Sequence, residues 1–173
     1  MNWSEKCNKI TAVVLDVDGV LTDGRIGYRD NGDEIKFFHV RDGHGLKLAQ
    51  RAGLKVGILS GRKSKANATR AAELKMDFLY EDCKDKDAGF TRLLEEQHLL
   101  PEQCMYIGDD VVDAPPMARC GLAVAVGDAV PELDTVADLR TRAEGGHGAI
   151  REAVEFLLKE QGKWSKLMER YFG

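Results

Sequence analysis

The sequence predicts an α/β fold: a doubly wound parallel sheet with helices on both faces. Three observations lead there. Short apolar, β-branched runs recur along the chain, and most stop at a polar or small residue. Helical patterns fill the intervals between them. One stretch, residues 24–40, breaks the alternation and reads as a β-hairpin.

The first strand is predicted over residues 10–15, ending at Asp16. Four more follow: residues 54–59, ending at Ser60; residues 76–80; residues 104–107, ending at Gly108 and Asp109; and residues 122–126. Runs that are apolar throughout mark strands buried on both faces. Helical periodicity appears at 45–51, with Leu46 and Ala49 on one side, and in the Ala-rich segment 64–74. It recurs at 87–98, with Phe90, Leu93, Leu94 and Gln97 at helical spacing, and more briefly at 111–119 around Pro115 and Pro116. A last helix from Gly148 aligns Ile150, Ala153, Val154, Leu157 and Leu158. The hairpin pairs residues 25–28 with 34–38 through an Asn31-Gly32 turn. The whole reads as one Rossmann-like domain over residues 1–173, with a tail at 161–173. Gly162 is a helix stop in that tail. Its Trp164, Leu167, Met168, Tyr171 and Phe172 are apolar enough to pack on a neighbour.

Composition removes several function classes. The 25 Lys and Arg against 29 Asp and Glu give a net charge of −4. No basic run supplies a nucleic-acid footprint, so no nucleic-acid partner is expected. No apolar stretch reaches the roughly 20 residues of a membrane span, and the polar N-terminus has no signal core, so no membrane association is expected. Cys7, Cys83, Cys104 and Cys120 form no C-x-x-C pair. Their spacing suits neither zinc nor a disulfide framework, and a cytoplasmic protein with reduced thiols is expected.

The chemistry concentrates at strand ends, where open α/β sheets bind ligands. Asp16-Val-Asp18-Gly19 follows the first strand. Two carboxylates at this spacing can divide labour, one attacking or binding metal while the other moves a proton. Read alone, the pair is equally a strand-end Asx-turn. Ser60-Gly61-Arg62 follows the second strand and offers a hydroxyl and free N–H groups. Read alone, it is a turn with Arg62 in solvent. Lys86 follows the third strand, where a cation can neutralise phosphoryl oxygens. Read alone, it is one lysine of the charged run 81–87. Gly108-Asp109-Asp110 and then Asp113 follow the fourth strand, and hard carboxylate oxygens suit Mg²⁺. Read alone, they are an acidic helix start. Together they supply a carboxylate nucleophile, an acid/base, a hydroxyl, a cation and a metal site, the parts phosphoryl transfer needs.

On these motifs, in this order over positions 16–113, the chain resembles the haloacid dehalogenase superfamily. The resemblance implies that Asp16, Asp18, Ser60 and Lys86 are catalytic. Asp16 attacks phosphorus and forms an aspartyl-phosphate, and Asp18 protonates the leaving oxygen and then deprotonates water. It implies Mg²⁺ held by Asp16, Asp109 and the main-chain oxygen of Asp18, with Asp113 close by. An acid at position 18 favours a phosphatase, because the family's ATPases carry Thr there and its dehalogenases lack the acid. Only 43 residues separate Asp16 from Ser60 and 25 separate Ser60 from Lys86. Neither gap holds a separate cap domain, so a neighbouring subunit is expected to complete the site.

A finer resemblance is to the 3-deoxy-D-manno-octulosonate 8-phosphate phosphatases, tetramers that act in lipopolysaccharide sugar synthesis. It rests on the hairpin, on residues 39–43, on Ser60 to Lys63, on Gly108 to Asp110, and on residues 145–152. It implies a homotetramer and a substrate site lined by Asp18, His39, Val40, Arg41, Asp42, Gly43, Lys47, Arg62, Arg70 and Lys86. Arginines suit a substrate with a phosphate and a carboxylate, since each can be gripped by two N–H groups. Three positions depart from that pattern: His39 stands where Asn is expected, Asp128 follows Gly127 where Ala-Asp is expected, and Pro115-Pro116 replaces Trp-Pro. Similar enzymes act on nine-carbon keto-deoxy sugar acid 9-phosphates, so that substrate is the alternative. Two readings from other classes are a phosphorylated receiver and a silent scaffold. A receiver places adjacent acids on its first strand, and a scaffold loses motif residues; neither pattern is present here. His98 reads as structural, and the loop around His147 reads as a cap for the last helix or a substrate contact.

Overall fold

The computed structural model describes residues 3–173. Strands β1 (Ala12–Leu15), β4 (Lys55–Leu59), β5 (Phe78–Tyr80), β6 (Cys104–Gly108), β7 (Leu122–Ala125) and β8 (Leu139–Arg140) form a six-stranded sheet. Its order is β5-β4-β1-β6-β7-β8, and every pairing is parallel. The chain runs outward from β1 to β5 and then crosses back to β6. This places the topological switch point between β1 and β6, beside the end of β1. All four residues of β1 are buried, as their unbroken apolar run requires.

Helix α1 (Trp3–Asn8) precedes the sheet. Helices α2 (Val40–Arg51) and α6 (Ala149–Glu160) pack together, as do α4 (Lys86–Gln97) and α5 (Ala114–Arg119). Right-handed crossovers put these two pairs on opposite faces of the sheet. Helix α3 (Lys65–Glu73) links β4 to β5. The stripe Ile150, Ala153, Val154, Leu157 and Leu158 is completely buried. Each large aliphatic side chain removed from water in this way contributes about 1.5–3 kcal/mol.

The five expected strands are present, with a sixth, β8, that sequence periodicity did not mark. It is two half-buried residues long, too short to show a pattern. The hairpin forms, but its ladder is only β2 (Gly27–Tyr28) against β3 (Glu34–Ile35), shorter than the expected arms. Its turn closes through the Gly32 N–H to the Arg29 carbonyl at 2.8 Å. The expected helix at 45–51 starts five residues earlier, at Val40. Gly43 weakens the helix signal there, and close packing explains it: a Cβ at this position would lie 2.4 Å from Arg70 Nη2. His98 ends α4 in the left-handed conformation, a structural role as expected.

The tail is helical, as α7 (Trp164–Phe172). Trp164, Leu167 and Met168 pack on the chain's own core rather than awaiting a neighbour. Arg151 and Lys159 lie over the Trp164 ring at 5.3 and 5.6 Å. Tyr171 and Phe172 stay exposed.

Candidate active site

Four strand ends deliver their polar residues to one cavity of about 190 Å³. Asp16 and Asp18 follow β1, Ser60 to Arg62 follow β4, Lys86 opens α4 after β5, and Asp109 and Asp110 follow β6. Val112 completes the lining. Parallel strands end at one edge of the sheet, so residues 93 positions apart in sequence become neighbours there.

Lys86 is buried between two carboxylates. Its Nζ lies 2.9 Å from Asp16 Oδ1 and 2.5 Å from Asp113 Oδ1. Burial acts to lower the lysine's pKa, but Asp16 and Asp113 outweigh it, so the net shift is upward and the ammonium stays charged. Asp113 is itself fully occupied. Its Oδ1 also accepts the Tyr106 hydroxyl at 2.8 Å, and its Oδ2 accepts the amides of Asp109 and Asp110 at 3.1 and 3.4 Å. It therefore fixes Lys86 and the strand-end loop together. Ser60 is buried, and its Oγ accepts the Arg62 amide at 3.2 Å, which turns the hydroxyl hydrogen away from that amide.

One oxygen each from Asp16, Asp109 and Asp113 lie within 4.8 Å of one another. Burial first, and then repulsion from Asp113, pushes Asp16 up to about 6 despite Lys86. Burial, Asp16 and Asp113 push Asp109 up to about 8. Crowded hard oxygens with this unfavourable charge fit a divalent cation, which removes the repulsion. Because Asp113 already accepts four hydrogen bonds, Asp16 and Asp109 are the carboxylates left to ligate it.

The substrate residues expected from sequence divide by location. Asp18, Arg62 and Lys86 line the 190 Å³ cavity. His39 and Arg41 line a larger one of about 510 Å³, with Arg142, His147 and Arg151. The larger cavity lacks the strand-end acids, so the chemistry belongs to the smaller. Val40 projects into solvent at 80% exposure. Asp42 is buried, with its oxygens on the Gly148 and Arg151 amides at 3.1 and 2.8 Å, so it caps α6 rather than facing either cavity. Burial raises its pKa and those two amides offset part of the rise. Gly43 gives Arg70 room, and Arg70 pairs with Glu73 and lies 5.5 Å from the centre of the Phe38 ring. Lys47 donates to Gln50 and to the Leu74 carbonyl, away from the strand-end acids. The loop around His147 serves the start of α6: Gly148 is its N-cap, and His147 Nδ1 lies 2.9 Å from the Gly145 carbonyl.

Sequence reasoning missed Lys36. Its side chain is completely buried, with Nζ 2.6 Å from Asp18 Oδ1 and 3.1 Å from Asn67 Oδ1. It missed Glu34 as well, which pairs with Arg62. The sequence carried no signal for either: β3 ends at Ile35, and both are single charges among several on the hairpin.

The family model of the haloacid dehalogenase-like hydrolases matches residues 40–121. The 3-deoxy-D-manno-octulosonate 8-phosphate phosphatase KdsC of Escherichia coli K12 is 46% identical over 158 residues, covering 91% of this chain and 84% of its own. The phosphatase of the same name from Yersinia pestis superposes with a TM-score of 0.90 at 40% identity, over 95% of this chain and 89% of its own. That from Moraxella catarrhalis, in complex with a magnesium ion, a phosphate ion and a KDO molecule, superposes at 0.94 with 32% identity, over 98% of this chain and 97% of its own. With the strand-end acids, serine and lysine gathered at the switch point of such a sheet, the chain belongs to the haloacid dehalogenase-like hydrolases, in the family of the 3-deoxy-D-manno-octulosonate 8-phosphate phosphatases.

Proposed function

We propose that this chain is a Mg²⁺-dependent phosphomonoesterase that converts 3-deoxy-D-manno-octulosonate 8-phosphate to the free sugar acid and phosphate. The observation that carries this reading is the convergence of Asp16, Asp18, Ser60, Lys86 and Asp109 on one cavity, in a chain so similar to phosphatases of that substrate. Asp16, Asp109 and the Asp18 main chain would hold Mg²⁺, which would supply charge neutralisation for phosphoryl transfer.

Asp16 attacks phosphorus through a side-chain oxygen, and the bond to the sugar oxygen breaks. Asp18 gives that oxygen a proton. The aspartyl-phosphate then reacts with water, and Asp18 takes the water's proton as the new P–O bond forms and Asp16 is released. Lys86 and the Ser60 hydroxyl hold phosphoryl oxygens during both transfers. Arg62, beside Asp18 at the cavity mouth, is placed to meet the substrate's anionic groups.

In this reading residues 1–173 act as one hydrolase domain in the cytoplasm, where four free thiols are at home. Four copies assemble. Exposed Tyr28 and Phe37 on the hairpin and Val40 just after it support that assembly, as does the lack of a cap domain among the described residues. A neighbouring subunit then brings the groups of the second cavity, or Lys47 and Arg70, to the sugar.

Phosphate release from a panel of sugar phosphates, with Mg²⁺ or EDTA, tests the reading for wild type and Asp16→Asn. Metal-dependent turnover preferring the eight-carbon acid and abolished by Asp16→Asn is expected. Preference for a nine-carbon acid overturns the substrate, and no turnover of any ester by folded, metal-loaded protein overturns the activity.

A further inference from the structure

We propose that Lys36, on the inserted hairpin, is the positioning residue for the carboxylate of Asp18. This rests on the reading of Asp18 as proton donor and acceptor. An ammonium is costly to bury unless its charge and all its donors are matched. The Lys36 side chain has no exposed surface, and its ammonium makes two hydrogen bonds and faces one further carboxylate as an ion pair. Asp18 Oδ1 is at 2.6 Å, Asn67 Oδ1 at 3.1 Å and Glu34 Oε2 at 3.6 Å. Buried in this way, the ammonium presents no surface to a substrate.

The bracket continues behind Lys36. Asn67 is buried and donates through Nδ2 to Glu81 Oε1 at 3.1 Å. The same Glu81 oxygen accepts the Ser64 amide at 3.0 Å, at the start of α3. Lys36 is thus braced against the rigid sheet-and-helix body although its backbone belongs to the insertion. Holding Oδ1 fixes the rotation of the Asp18 carboxylate. The free oxygen is Oδ2, on the side of Arg62, whose Nε is 3.7 Å away and which lines the cavity with Asp18. Oδ2 carries the proton that passes to the sugar oxygen as its bond to phosphorus breaks, and it receives the proton of the attacking water. The hairpin therefore sets which oxygen of the acid/base faces the reaction.

Leaving groups that need no proton provide the test. Lys36→Met, Lys36→Arg and Asp18→Asn are assayed on an alkyl sugar phosphate and on p-nitrophenyl phosphate, with thermal unfolding as the control for folding. Lys36→Met is expected to lower kcat/KM, which reports the transfer to Asp16 and not the later step with water common to both esters, by about 10–100-fold on the alkyl ester, part of what an acid/base contributes and mostly through kcat. On the aryl ester the loss is expected to be a few-fold, and Lys36→Arg recovers most of the alkyl activity. Equal losses on both esters, or a change confined to KM, overturns the positioning role. Should Lys36→Met not fold, Lys36→Gln, which keeps an N–H donor, is expected to show the same dependence on leaving group; its absence overturns the proposal. If Asp18→Asn itself shows no such dependence, the reading of Asp18 fails and Lys36 fails with it, whereas a dependence seen in Asp18→Asn alone overturns only Lys36.

Discussion

The carboxylate of Asp109 occupies the space that a Cβ on residue 19 would fill: the built Cβ position is 2.0 Å from Asp109 Oδ2. Gly19 also has φ +92°, which side chains rarely adopt. The loop carrying Asp16 and Asp18 and the loop carrying Asp109 therefore interlock through a missing side chain. Gly19→Ala is expected to displace Asp109 and cut kcat/KM by about 100-fold, since shifts of an ångström at a reacting centre cost that much. Steady-state kinetics with saturating Mg²⁺ checks this.

Asp109→Asn separates metal binding from catalysis. Without metal, burial and the charges of Asp16 and Asp113 disfavour the Asp109 carboxylate, so the neutral amide is expected to raise the unfolding midpoint. A gain of about 1 kcal/mol corresponds to about 2–4 °C in a chain of this size. Added Mg²⁺ is expected to raise the midpoint of wild type but hardly that of the variant. Thermal unfolding with and without Mg²⁺ reads both effects.

Lys86→Met leaves Asp16 and Asp113 facing each other without their cation. Breaking a buried charge cluster by removing one partner costs about 3–5 kcal/mol. A loss of that order in denaturant unfolding near neutral pH is expected, together with loss of phosphatase activity.

Asp42→Ala tests a structural role for a residue inside the segment 39–43. Its carboxylate satisfies two amides at the start of α6, and leaving them unpaired costs about 1–3 kcal/mol. Chemical denaturation is expected to show this loss.

Acid is expected to loosen α7. His44 Nε2 lies 3.1 Å from the Tyr171 hydroxyl, within hydrogen-bond distance. Burial, then Arg151 and Arg51, holds the His44 pKa below its usual 6.5. Folding therefore favours the neutral form. The stability this gives is present above 6.5 and is lost as pH falls through the lowered folded value. Trp164 fluorescence in an acid titration is expected to change in wild type and to lose that step in His44→Gln.

The sequence by itself determined the sheet and the chemistry at its edge. Buried parallel strands need continuous apolar runs, and the polar residues past each run emerge at the ligand-binding edge, so Asp16, Ser60 and Asp109 could be read off at strand ends and Lys86 near the start of the helix after the third strand. Tertiary structure alone decided what surrounds them. Asp42 and Lys36 are both single charges with no periodic signature, yet one caps a helix more than a hundred residues away and the other grips Asp18 from the hairpin. The two-residue β8 and the packing of Trp164 on its own core were equally hidden. Such roles depend on which distant groups share a buried site, and local propensity and spacing carry no record of that.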